Sequence, residues 1–182
     1  MPSLKYALLK QIIQKDEDEY KIFVETGTYL GETIFRMEPI FKELHTIEIK
    51  KQLYDSVRRN YKGNKITFHL GDSSYKLKEI VKKLNENAIF FLDGHWSAGI
   101  TGRGEKDCPL YEELSAIVNH FPHKAIIIID DIRLFGRGPK TGNRYNWEDI
   151  SSEKILDVIK DRIISNEIIG DRMIIYLKKY NI

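Results

Sequence analysis

The chain has 182 residues, 42% of them hydrophobic, and its 29 basic side chains stand against 27 acidic ones for a net charge of +2, which suits one domain with a substantial core. So balanced a charge exerts no overall pull toward nucleic acid or an anionic membrane, and no apolar run approaches the roughly 20 residues that span a bilayer. Cys108 is the only cysteine and no signal-peptide pattern opens the sequence, so the expectation is a cytoplasmic protein without nucleic-acid or membrane partners.

Leu4, Leu8, Ile12 and Ile13 share one helical face, and the acidic run Asp16-Glu17-Asp18-Glu19 closes that segment. Residues 1–20 therefore read as an extra helix ahead of a single domain covering 1–182, serving as a packing helix, a lid or the arm of a homodimer. A strand at Ile22-Phe23-Val24 and a helix over 31–41 follow. A second strand covers Leu44–Ile49 and a charged helix 51–60. The third strand, Ile66–Leu70, leads to a helix over 74–86 with Leu77, Ile80, Val81 and Leu84 inward. Ala88–Leu92 is the fourth strand, and a helix over 110–120 precedes the fifth, Ala125–Ile129. A nearly unbroken apolar run like this last one suits a strand covered on both faces. A helix over 150–164 and strands near 166–169 and 172–177 close the chain. The expected class is α/β: a Rossmann-like, mostly parallel seven-stranded sheet flanked by helices.

Between the first strand and its helix lies Glu25-Thr26-Gly27-Thr28-Tyr29-Leu30-Gly31-Glu32-Thr33. Glycine tolerates positive φ and lets a ligand approach the backbone, so a strand, glycine turn and helix start suit a nucleotide-like cofactor. A dinucleotide fingerprint needs a glycine where Tyr29 stands, which counts against a nicotinamide-dependent oxidoreductase. The Glu25-Thr26-Gly27-x-x-x-Gly31 pattern resembles the first motif of class I S-adenosylmethionine (SAM) dependent methyltransferases. That resemblance implies SAM as cofactor and a SAM methyltransferase fold, with Glu25, Thr26, Gly27, Thr28, Gly31 and Thr33 around the cofactor's aminocarboxypropyl end.

Ligands of open parallel sheets bind beyond the carboxyl ends of the strands, and here every such strand stops at an acid: Glu25, Glu48, Asp72, Asp93 and Asp130. Glu48 follows Glu25 by 23 positions, near the offset of about 20 at which a second-strand acid accepts bonds from ribose hydroxyls. Gly71-Asp72-Ser73 resembles the methyltransferase segment whose carboxylate takes the adenine amino group, and Asp93 also borders the cofactor.

Asp93-Gly94-His95-Trp96 and Asp130-Asp131 end the fourth and fifth strands. If these strands are neighbours, about 4.8 Å apart, Asp93 and one or both of Asp130 and Asp131 converge on a cation. Oxygen ligands favour Mg²⁺, with Mn²⁺ or Ca²⁺ as substitutes. The pattern resembles metal-dependent O-methyltransferases of the catechol and macrocin sugar types over roughly residues 20–135. It departs from the catechol type, whose Asp-His-Trp-Lys supplies a lysine base, because Gly94 is inserted and Ser97 replaces the lysine. His95 is then the candidate base beside Asp93.

The loops at 95–109 and 133–148 are basic, aromatic and punctuated by glycine. Long loops of this kind suit acceptor binding, with Trp96, Arg103, Lys106, Arg133, Arg137 and Trp147 as candidates. The expected activity is Mg²⁺-dependent transfer of a methyl group from SAM to a hydroxyl of a small molecule, a sugar or a sugar nucleotide. A metal-independent SAM methyltransferase and a non-catalytic SAM-binding subunit are the alternatives.

Overall fold

The computed structural model describes residues 3–16, 18–142 and 144–180; Glu17 of the acidic run lies outside them. Strands β1 (Ile22–Thr26), β2 (Glu43–Glu48), β3 (Ile66–Leu70), β4 (Ala88–Leu92), β5 (Ala125–Ile129), β6 (Ile163–Ile169) and β7 (Arg172–Leu177) form one sheet in the order β3-β2-β1-β4-β5-β7-β6. The first five strands run parallel, and β7 pairs antiparallel with both β5 and β6. Among the described residues, no helix is long and apolar enough to cross a membrane.

Successive side chains of a strand face opposite sides, so the apolar run of β5 divides between two layers. Ala125, Ile127 and Ile129 join a core with α4 (Ser73–Val81), α5 (Leu110–His120) and α6 (Ser152–Ile159), while Ile126 and Ile128 join one with α1 (Tyr6–Ile13) and α2 (Glu32–Met37). Helix α3 (Lys51–Asn60) buries only Leu53 and Val57. The N-terminal segment is packed onto this second core. Leu4, Leu9 and Ile12 are fully buried, Arg36 Nη1 donates to the Leu4 carbonyl at 3.1 Å, and the Tyr176 hydroxyl donates to the Ile12 carbonyl at 3.4 Å.

Three helices are shorter than the periodicity predicts, among them α4, which stops at Val81 rather than 86. Helix α2 stops at Met37 rather than 41, because Pro39 has no N–H with which to continue the ladder. The last helix covers Ser152–Ile159 rather than 150–164, and β6 begins at Ile163. Ser151 sets its start, its hydroxyl accepting from Lys154 N at 3.2 Å. Arg162 sets the turn beyond its end. Its guanidinium is buried and donates to the carbonyls of Ile117, Val118, Phe121, His123 and Lys178 at 2.6–3.2 Å. It thus closes the C-terminal end of α5, where carbonyl dipoles favour a cation. Arg162→Met orphans these carbonyls, and urea denaturation is expected to show a loss of about 3 kcal/mol.

Candidate functional site

Strands β1, β4 and β5 end level with one another, Thr26 beside Leu92 and Leu92 beside Ile129. The residues after these ends therefore meet at one edge. Gly27 has φ +84°, and a Cβ there would lie 2.4 Å from the Asp93 carbonyl oxygen, so only glycine lets the two turns touch. Tyr29, Ala98 and Asp131 are the non-glycine residues with positive φ among those described, and all lie in the turns and loops at this edge, where backbone strain is commonly concentrated.

A cleft of about 50 Å³ opens there, tighter than the roughly 300–1,000 Å³ of most small-molecule sites. Of the residues expected to hold a cofactor, Gly27, Glu48, Gly71, Asp72, Ser73 and Asp93 line it. Glu48 accepts from Tyr29 N at 2.9 Å and Lys50 N at 2.8 Å, while burial pushes its carboxyl up against the pull of those bonds. Asp72 caps α4, Oδ1 accepting from Ser74 N at 2.9 Å.

Glu25, Thr26, Thr28, Gly31 and Thr33 are buried behind the turn instead of lining the cleft. Glu25 accepts from Thr46 Oγ1 at 2.8 Å, and that hydroxyl lies 2.6 Å from Thr28 Oγ1; burial holds the Glu25 carboxyl well above the usual range. The amides expected to face a ligand are largely engaged within the protein. Gly27 N and Thr28 N donate to the Ile47 carbonyl, and Gly31 N donates to that of Thr28. The turn is thereby fixed to β2, and its contribution to the cleft is shape.

The loop at 95–109 folds over this cleft. A Cβ on Gly102 would lie 2.2 Å from Ile49 Cγ2, and one on Gly104 2.3 Å from Asp72 Oδ2, so the glycines are what let the loop seat against β2 and α4. Arg103 ties the loop to itself, with Nε 2.6 Å from Asp107 Oδ1 and its guanidinium over the Trp96 ring at 4.3 Å. Asp107 Oδ2 accepts from Asn146 N at 3.0 Å, and the Trp96 and Tyr145 rings meet edge to face at 5.8 Å, joining the two loops.

Asp93 and His95 form part of the cleft's inner wall, and the acids after β5 stand behind them. His95 Nε2 lies 2.8 Å from Asp131 Oδ2 and 3.3 Å from Asp93 Oδ1, all three side chains nearly inaccessible. Asp131 also pairs with Arg133, which reaches Asp171 as well, while Asp130 pairs with Arg172 Nη2 at 3.0 Å. Thus the three acids expected to bind a cation lie together, and protein cations stand among them. Asp93, His95 and Asp131 have donor atoms close enough for one ion, as do Asp130, Asp131 and Asp171. Among the described residues, His95 Nε2 at 3.3 Å is the nearest partner of Asp93 Oδ1.

The charges are mutually dependent. Burial opposes a charged His95, but the bonds to Asp131 and Asp93 prevail and push the imidazole up to about 10. Burial raises Asp93, with His95 opposing it. Burial and then Asp93 push Asp130 up to about 6 against the pull of Arg172. Asp131 is held low despite burial, because His95 and Arg133 favour its ionised form. At neutral pH His95 is therefore a proton donor in this state, and it becomes the base that the sequence suggests only when another cation takes over the carboxylates.

The acceptor candidates divide. Trp96 and Lys106 line the cleft, although Lys106 pairs with Glu112. Arg103 and Arg133 are engaged by carboxylates, Arg137 is exposed, and Trp147 is buried with its ring edge-on to His95 at 4.9 Å. Sequence reasoning missed Ile49 and Leu53, apolar residues of the cleft wall, and Asp171 and Arg172. The latter pair belongs to the β6–β7 turn, and only the antiparallel return of β7 beside β5 carries it to the site.

No protein-family model matches the chain, and no curated protein matches it. Solved structures do. A protein of caffeoyl-CoA O-methyltransferase type from Staphylococcus aureus superposes with a TM-score of 0.63 at 15% identity over 97% of this chain and 85% of that one. The fold is that of the Rossmann-like methyltransferases. The methyltransferase fold is shared equally by the N-methyltransferase NodS of Bradyrhizobium japonicum WM9, with a TM-score of 0.58 at 10% identity over 96% of this chain and 93% of that one. It is shared too by SMU.1697c of Streptococcus mutans, solved in complex with SAH, at 0.54 and 14% over 99% of this chain and 100% of that one.

Two expectations follow for this site. Gly27→Ala forces a Cβ into the Asp93 carbonyl at positive φ, so calorimetry should show a melting temperature lower by about 4–8 °C, the equivalent of about 2 kcal/mol. His95 binds its proton more tightly folded than unfolded, with a folded value of about 10 against an ordinary 6.5. Its pairing therefore stabilises fully below about pH 6.5 and fades as pH rises toward 10. Urea titrations in metal-free buffer should find the stability advantage of wild type over His95→Asn shrinking across that window.

Proposed function

We propose that the chain is a SAM-dependent O-methyltransferase acting on a hydroxyl of a small molecule, a sugar or sugar nucleotide, with Mg²⁺ at its acidic cluster. One observation carries this reading. The cleft bounded by Gly27, Glu48 and Asp72 runs without interruption into Asp93 and His95, so a nucleoside-like cofactor and a hydroxyl-activating cluster share one space. The methyltransferase neighbours, one of them complexed with SAH, support the cofactor half of this proposal.

When bound, SAM supplies an electrophilic methyl group. Glu48 offers two carboxylate oxygens to vicinal ribose hydroxyls and Asp72 borders the adenine end, while Ile49 and Leu53 provide apolar wall. The loop carrying Gly102 and Gly104 excludes water. Asp93, whose buried Oδ1 is held only by His95 at 3.3 Å, and Asp131 are the residues suited to hold Mg²⁺, and Asp130 is drawn aside by Arg172. Bound there, the ion would lower the pKa of an acceptor hydroxyl. With its carboxylates engaged by the ion and its own proton lost to solvent, His95 Nε2 would accept the hydroxyl proton, and the tight walls would hold the acceptor in position. Trp96 gives the acceptor an apolar platform.

A metal-independent enzyme is the second reading, favoured by one fact: His95 already occupies the space between Asp93 and Asp131 as a cation.

Calorimetric titration with SAH, in Mg²⁺ and in excess EDTA with NADH as control, tests the cofactor before any acceptor is known. Saturable SAH binding without NADH binding is expected, and Glu48→Ala should weaken it about 10- to 100-fold, the loss of about 1.4–2.8 kcal/mol of hydrogen bonding. No SAH binding in either buffer would refute the proposal. With an acceptor in hand, EDTA and Asp93→Ala should each abolish turnover, whereas activity surviving EDTA would select the metal-independent reading.

A further inference from the structure

Glu113 is the fourth residue of α5, is 2% exposed, and has no part in the chemistry above. Its carboxyl faces the hydroxyls of Ser73 and Thr26. Oε1 has no hydrogen-bond partner among the described residues and lies 2.9 Å from where a Cβ on Gly94 would sit. Gly94 and Ser73 both line the cleft, so the carboxyl stands directly under its wall, with no side chain of Gly94 intervening. The other titratable groups around it are Asp72 at the start of α4, His95 after β4 and Cys108 before α5. His95 is the cation among them, and it is bonded to Asp131 and Asp93, so the Glu113 carboxylate is buried with no cation of its own, which is costly. The cost is relieved when a cation enters the cleft.

We propose that Glu113 is the counter-charge of the cofactor's sulfonium, a buried carboxylate that favours the cationic methyl donor over its neutral thioether product. The inference rests on the SAM reading of the cleft. In SAM the sulfonium joins the ribose arm to the aminocarboxypropyl arm. With the ribose at Glu48 and the other arm at the turn of β1, the sulfonium lies between them, over the junction where Gly27 meets Asp93 and Gly94. Glu113 sits beneath that junction, in a medium where charges act strongly over several ångströms. Methyl transfer removes the sulfonium charge, so the same carboxylate that favours the donor no longer holds the product.

The test compares SAM and SAH, which differ in the methyl group and its charge. Calorimetric affinities for both are measured with wild type and Glu113→Gln from pH 6 to pH 8. Glu113→Gln should shift the SAM-to-SAH affinity ratio toward SAH by about tenfold, one unit of the interaction a near charge supplies, and leave SAH affinity unchanged. Burial pushes the Glu113 carboxyl up to about 7, so the wild-type ratio should move toward SAM as pH rises through that value and the charge appears. The variant's ratio should stay flat. If the Gln variant does not fold, Glu113→Asp, which keeps the charge but draws it back by one methylene, takes its place and should shift the ratio in the same direction. Both ligands binding with a ratio that neither pH nor the substitution moves would overturn this inference and leave the SAM reading standing. Neither ligand binding wild type would bring down both.

Discussion

The placing of β4 between β1 and β5 is the constraint from which the site follows. Parallel pairing ends the three strands level, and whatever follows each end is forced into the same few ångströms. On one flank that is the glycine turn, pressed against the backbone of Asp93 through the missing side chain of Gly27. On the other flank it is Asp130 and Asp131. The segment Asp93-Gly94-His95 is shared by both, which is why the cleft and the cluster of carboxylates are one site.

Bringing acids together in a dry place has an electrostatic cost, and much of the local architecture offsets it. His95 stands between Asp93 and Asp131, Arg133 joins Asp131 to Asp171, and Arg172 takes Asp130. Two of these cations are delivered by the β5 loop and the β6–β7 turn, so the antiparallel end of the sheet completes a site otherwise built by its parallel half. Asp131 adopts a left-handed backbone, φ 59°, to meet this arrangement. Strain at such a residue is tolerated where surrounding contacts over-determine it.

Much of this was legible in the residues themselves. The strands, their order of appearance and the acids at their ends could be read from apolar runs, because a strand buried on both faces leaves an unmistakable composition. Asp93, Asp130 and Asp131 could be placed at one edge from the sequence, since adjacent parallel strands bring their ends together. The exact reach of helices was harder. Helix α2 stops early at Pro39, and the final helix gives way to β6 because Arg162 has carbonyls to satisfy far away in sequence. Glu25, Thr28 and Thr33 belong to the glycine-turn segment, yet they form the buried hydroxyl and carboxyl layer behind the turn. A sequence motif gives proximity to a site; which way each side chain points is decided by the pleat and by packing.

The sequence by itself determined the α/β class, the glycine turn and the level row of carboxylates, because these depend on local backbone freedom and on the period of burial. Only the tertiary structure decided the state of the acids and of His95. Their charges depend on partners remote along the chain, Arg172 for Asp130 and Asp131 for His95. It alone placed Glu113 beneath Gly94. Electrostatics acts through distance in space, and that distance is set by which strands pair and how helices pack, quantities that no window of the sequence contains.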